Sequence, residues 1–186
     1  NLTSSATFIE GGAPVQIAPN VSIADIELDA RNGGNGNYTG ASLTITRDGG
    51  VNGDDRFSIA TGGSLTVAGG PAGGGTVSAG GHVIAVIADT GNGQMQITFE
   101  NNGTIPTRAL VIETLRAVHY ANASDDPPAT ASLRWTFSDG NDDASQGTGG
   151  VETATGTTNI AITPINDPPS LTTTASNPNF IESGAS

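Results

Sequence analysis

Six residues near the start of the chain, Phe8-Ile9-Glu10-Gly11-Gly12-Ala13, return 172 positions later as Phe180-Ile181-Glu182-Ser183-Gly184-Ala185, five of the six identical. A chain that restarts its own opening reads as one complete unit of a tandem array, a joint, and the first strand of a following unit. The joint lies in Ile160-Ala-Ile-Thr-Pro-Ile-Asn-Asp-Pro-Pro169. It opens as a strand, with Ile160 and Ile162 on one face. It ends in Asn166-Asp167-Pro168-Pro169, where the prolines fix φ and keep the preceding residue extended. The expected boundaries are one unit over 1–165, a linker over 166–179 and a truncated first strand over 180–186. No leader or membrane span stands out; for a piece cut from an array, such signals are expected elsewhere in the longer chain.

Within the unit the dominant signal is alternation with period two. Leu133, Trp135 and Phe137 alternate with Arg134, Thr136 and Ser138, and Leu43-Thr44-Ile45-Thr46 does the same. Met95, Ile97 and Phe99 alternate with polar neighbours and follow His82–Ala88 across Asp-Thr-Gly-Asn-Gly, which predicts a hairpin. His82–Ala88 is apolar on both faces and is placed centrally in a sheet. Phe57-Ser58-Ile59 and Leu65-Thr66-Val67 read as short strands around a Gly-Gly turn, and Glu152–Thr163 as the last strand. Val21 and Ile23 open a longer strand running into Asp25-Ile26-Glu27, which would put both carboxylates on one face. Arg31–Tyr38 reads as a flexible turn. One helix is predicted over Thr107–Leu115, capped by Thr107 after Pro106, with Val111, Leu115 and Val118 on one stripe. These segments predict an all-β fold: an antiparallel β-sandwich with Greek-key topology and one short helix.

Composition narrows the function classes. Leu, Ile, Val and Phe make only 38 of 186 residues and the net charge is −12, values that border on disorder; the clean alternation argues for an ordered chain. Six Arg and Lys against eighteen Asp and Glu leave no basic face for phosphate, which excludes nucleic acid. Without cysteine there are no disulfides or thiolate metal sites. An acidic surface suits hard divalent cations instead.

With its landmarks placed, the unit resembles the bacterial cadherin-like, immunoglobulin-like tandem repeats of large surface proteins and adhesins. The landmarks are Phe8-Ile9-Glu10, Ser22–Glu27, Gly40–Ile45, Leu115–Asn122, Phe137-Ser138-Asp139-Gly140 and Ile165–Pro169. The resemblance implies an extracellular, cell-surface module serving cell adhesion as spacer or adhesive unit. Its partners would be neighbouring repeats of the same chain and another surface protein or a glycan, with no direct membrane insertion. It also implies calcium at the junctions between units, with Glu10, Asn166 and Asp167 serving the C-terminal junction and Asp25 and Glu27 the preceding one. Pro164 and Pro168 beside Asn166-Asp167, and the lack of an Asp-Arg-Glu tripeptide, lower the expected number of ions.

Other groups weigh less. Asp139, Asn141 and Asp143 have the spacing that opens an EF-hand, but Ala144 and Gly150 replace the required Gly and Glu, so a turn is expected. His82 and His119 belong to no catalytic signature, and no enzyme is expected. Two alternatives remain: a carbohydrate-binding module, for which Tyr38 is the best-placed stacking aromatic, and a non-binding spacer attached to a secreted enzyme.

Overall fold

The computed structural model describes residues 3–70, 74–89, 93–141 and 146–172. The second copy of the opening motif, Asp143 and the turn at 90–92 lie outside these residues. Among the described residues eleven strands form two sheets. The larger has β1 (Thr3–Ile9), β3 (Ser42–Arg47), β5 (Leu65–Gly70), β6 (Gly74–Ala79), β7 (His82–Asp89), β8 (Gln94–Phe99), β10 (Thr130–Ser138) and β11 (Thr153–Thr163). Its spatial order is β1-β11-β10-β3-β8-β7-β6-β5. The smaller sheet is β2 (Val15–Gln16), β9 (Val118–Asn122) and β4 (Asp55–Ile59), in that order. Among the described residues no helix is long and apolar enough to cross a membrane.

The alternation places the core where expected. Leu133, Trp135 and Phe137 are buried, as are Leu43, Ile45, Met95, Ile97 and Phe99. β7 and β8 pair antiparallel, Ala85 opposite Phe99 and Ile87 opposite Ile97, and β7 has a neighbour on each side. Its outer face is not sealed, since Val83 and Val86 are only half-buried. The two sheets meet at aromatic side chains: Phe8 of β1 packs edge-on against Tyr120 of β9, ring centroids 5.9 Å apart, and Phe57 of β4 lies 5.8 Å from the same ring. The fold is β-sandwich-like.

Three departures from the sequence reading matter. First, β1 and β11 are parallel, Thr3 opposite Thr157 through Ile9 opposite Thr163, so the large sheet is mixed rather than antiparallel. Second, there are two helices among the described residues. The expected one runs Arg108–Arg116 (α2), with Thr107 as N-cap and Val111 and Leu115 buried. The other, α1 (Ile26–Gly34), occupies the place given to strand and flexible turn. Val21 and Ile23 do turn inward, Val21 fully and Ile23 partly, but their stretch has no ladder partner. Third, Phe57–Ile59 and Leu65–Val67 do not pair with each other; they belong to different sheets.

Asp25 explains the start of α1. Its Oδ1 accepts the Leu28 N–H at 2.8 Å, satisfying a helix donor that has no intrahelical acceptor. The helical backbone breaks over Arg31–Gly33, where Asn32 has a left-handed φ of 52°. The following turn is pinned, because Tyr38 is fully buried and its hydroxyl donates to Asp29 Oδ1 at 2.6 Å. Asp29 in turn faces Arg108 of α2 at 3.5 Å, whose Nε donates to the Ile23 carbonyl. Burial, and then the bond to Asp29, push the Tyr38 hydroxyl above the ordinary tyrosine range. Tyr38 is therefore not available to stack on a sugar.

A polar cluster bridges the sheets. Asp55 of β4, with a fully buried side chain, accepts from Arg47 Nε at 2.9 Å and Nη2 at 2.6 Å. The Tyr120 hydroxyl donates to it at 2.7 Å and Asn122 Nδ2 at 3.0 Å. Arg47 comes from the large sheet and the other three from the small one. Burial and the contact with Asp55 push the Tyr120 hydroxyl upward, and hydrogen bonding to Asp55 does the same for Arg47.

Candidate functional site

The first groove lies where β1 and β11 end. Glu10 extends the parallel ladder by one bond, its N–H donating to Thr163 O at 3.0 Å. Its side chain turns inward, 8% exposed, and Oε2 accepts the Ile165 N–H at 2.7 Å. Glu10 thus ties down the chain just past the last strand. Asp167, Asp125, Asn122 and Ser124 line the same groove of about 290 Å³. Asn122 is fixed from behind by Asp55, and its Oδ1 accepts the Ser124 N–H at 3.0 Å. Asn166 does not line the groove; it is exposed and donates to the Asp167 carbonyl at 3.3 Å.

Of the three residues expected here, the structure brings Glu10 and Asp167 together and leaves Asn166 outside. It adds Asp125, from the loop after β9. A carboxylate this buried is costly without a counter-charge, and among the described residues Glu10 pairs with no arginine. Among the described residues its carboxylate has one hydrogen bond, to the Ile165 N–H. Carboxylates with neutral oxygens from Asn122 and Ser124 are the donor types a hard divalent cation takes. Among the described residues, however, no three His, Asp or Glu side chains already stand close enough to hold one ion.

The second groove, of about 220 Å³, is lined by Glu27, Asp139, Asn141, Gln146 and Glu152. It sits at the opposite end of β11, beside Glu152. Asp25 and Glu27 do not share a strand face. Asp25 caps α1, and Glu27 in the first helical turn reaches this groove with two carboxylates from the loop after β10. That loop is closed by its own bonds. Asp139 Oδ1 accepts from Asn141 N at 3.1 Å and Glu152 N at 3.0 Å, while Asn141 Nδ2 donates to Gly150 O at 3.1 Å. Asp139 and Asn141 therefore behave as turn residues. Of the two histidines, His82 is exposed and His119 is half-buried with Nδ1 2.9 Å from Ala117 O.

Replacing Asp25 separates capping from ion binding. In calcium-free buffer Asp25→Ala is expected to lose about 1 kcal/mol of stability, and Asp25→Ser to retain most of it. Urea unfolding of both variants checks this; an unchanged Asp25→Ala midpoint would remove the capping role.

Comparison with protein-family models, with curated proteins and with solved structures gives no match.

Proposed function

We propose that this chain is a non-enzymatic repeat module of a large extracellular surface protein, stiffened by calcium at its junctions and serving adhesion as a spacer. The observation that carries the reading is the parallel pairing of β1 with β11. Both strands run toward the Glu10 groove, so a chain entering through β1 arrives from one end and leaves β11 at the other. Copies joined this way stack end to end, each adding the length of an eleven-residue strand, about 35 Å. The repeated Phe-Ile-Glu-x-Gly-Ala supplies the second unit. A cadherin-like Greek-key connection is the finer topology that accompanies this proposal.

At the junction, calcium would be held by Glu10 and Asp167, with Asp125 beside them, and would offset the buried charge of Glu10. Glu27, at the opposite end, is the residue placed to meet a preceding unit. The burial of Tyr38 speaks against a sugar-stacking role for it. The test is a chain of two units titrated with calcium. At about 100-fold over the dissociation constant, a gain of about 2.7 kcal/mol is expected, with a larger radius of gyration. Glu10→Gln, which keeps an oxygen for the Ile165 N–H, should abolish both. No change in melting temperature or radius of gyration on adding calcium would sink the mechanism.

A further inference from the structure

The large sheet turns one face toward the core and the other outward, and its registers set the outer face in rows. Thr157, Arg134, Thr46 and Gln94 stand side by side across β11, β10, β3 and β8. Thr155, Thr136, Thr44 and Gln96 form the next row. Their strand neighbours Ile45, Trp135 and Met95 point into the core, which fixes these rows as the outward ones. Eighteen Asp and Glu give the chain its net charge of −12, yet neither row holds one. Arg134 is the single charge in them, and a hydroxyl or an amide fills every other place.

Beside the first row the loop after β3 completes a groove of about 390 Å³, with Thr46, Gly49, Gly50, Val51, Gln94 and Arg134 among its walls. That is the size of a small-molecule site. Asp48, at the root of the loop, accepts from Arg134 Nε at 3.0 Å and Nη2 at 2.6 Å, both on Oδ1. Among the described residues, Asp48 Oδ2 and Arg134 Nη1 have no bond, and both side chains are exposed. A carboxylate oxygen beside a guanidinium N–H accepts from one hydroxyl and donates to its neighbour, the pattern that a vicinal diol needs. The Gln94 amide adds a donor and an acceptor. Val51 is exposed and gives the groove an apolar wall for the C–H face of a sugar ring. Below, Thr46 Oγ1 is buried with no partner among the described residues, a group that a polar ligand settling between Arg134 and Gln94 would satisfy.

We propose that this groove binds one residue of a neutral polysaccharide through a vicinal diol, with the hydroxyl rows continuing the contact along the glycan. The charges select a neutral ligand: Asp48 already balances Arg134, and a chain at −12 repels uronates and sulfated sugars. The chemistry of the rows selects a glycan over a protein. They carry no aromatic or large aliphatic anchor of the kind that dominates protein interfaces, but they match a partner made of hydroxyls. The groove shares no lining residue with either acidic groove, so the site depends neither on calcium nor on the tandem reading. It adds a glycan-binding role to a unit proposed above as a spacer.

The test applies the single chain, in calcium-free buffer, to an array of neutral and acidic glycans. Binding is expected to at least one neutral glycan with free vicinal hydroxyls, and to none of the acidic ones. Treating that glycan with periodate, which cleaves vicinal diols, should abolish the binding. By titration calorimetry with the same glycan, Arg134→Ala and Asp48→Asn should each weaken it at least tenfold. The melting temperature should hold in both variants, because the pair is exposed. In the parent chain the bound glycan should shift the NMR signals of the Gln94 side-chain amide and of the Gly49–Val51 backbone. An array without a neutral binder, a preference for acidic glycans, or binding that survives periodate or both substitutions would overturn the proposal. None of these outcomes bears on calcium stiffening, which the two-unit titration reads separately.

Discussion

Asp55→Ala is expected to cost about 3–5 kcal/mol, the range for breaking a buried ion pair by removing one partner. The carboxylate accepts four hydrogen bonds, from Arg47 Nε and Nη2, the Tyr120 hydroxyl and Asn122 Nδ2. Its side chain is 0% exposed and that of Arg47 only 16%. Without Asp55 a guanidinium, a phenol and an amide are stranded between the sheets. For a chain of this size the loss lowers the melting temperature by on the order of 10 °C. Arg134 and Asp48 provide the contrast: they are as close, at 2.6 Å, but 56% and 42% exposed, so Asp48→Ala should cost well under about 1 kcal/mol. Urea unfolding at pH 7 compares the two. If Asp55→Ala fell within 1 kcal/mol of the parent, the cluster would not be holding the sheets together.

Phe8→Ala should cost a similar amount, about 3–5 kcal/mol for a buried phenylalanine. Phe8 is 1% exposed and meets the Tyr120 ring edge-on, so its removal opens a cavity between β1 and the small sheet. Ile9, next in the chain, points outward and is 53% exposed; Ile9→Ala should fall within about 0.5 kcal/mol. The pair divides the motif by face: Phe and Glu turn inward, Ile does not. Equal losses from the two variants would contradict the register of β1.

Sequence alone located most of the core and little of its connectivity. Leu133-Trp135-Phe137 and Met95-Ile97-Phe99 were legible because alternation reports which face is buried. The same signal misled at Val21 and Ile23, where one side is buried but, among the described residues, no strand pairs with it. It gave no warning of α1, a short helix set by one cap, Asp25, and broken from Arg31 onward. Local turn rules find hairpins such as β7–β8; they are blind to β1 and β11, which pair parallel across most of the chain. The Arg47–Asp55 pair reads as two unrelated charges until β3 and β4 are known to face each other. At the candidate site Glu10 and Asp167 were legible from the motif and joint. Asp125 was not, because only folding brings the loop after β9 beside them.

In the array proposed above, the placement of β1 against β11 would also decide how each unit carries load. Tension on a chain of such units pulls β1 and β11 in opposite directions along their shared axis. Their seven paired positions, from Thr3–Thr157 to Ile9–Thr163, are then strained in shear, all together, instead of being peeled apart one at a time. Glu10, bonded to both Thr163 and Ile165 through its own N–H and carboxylate, sits where that tension enters the ladder and acts as its clasp.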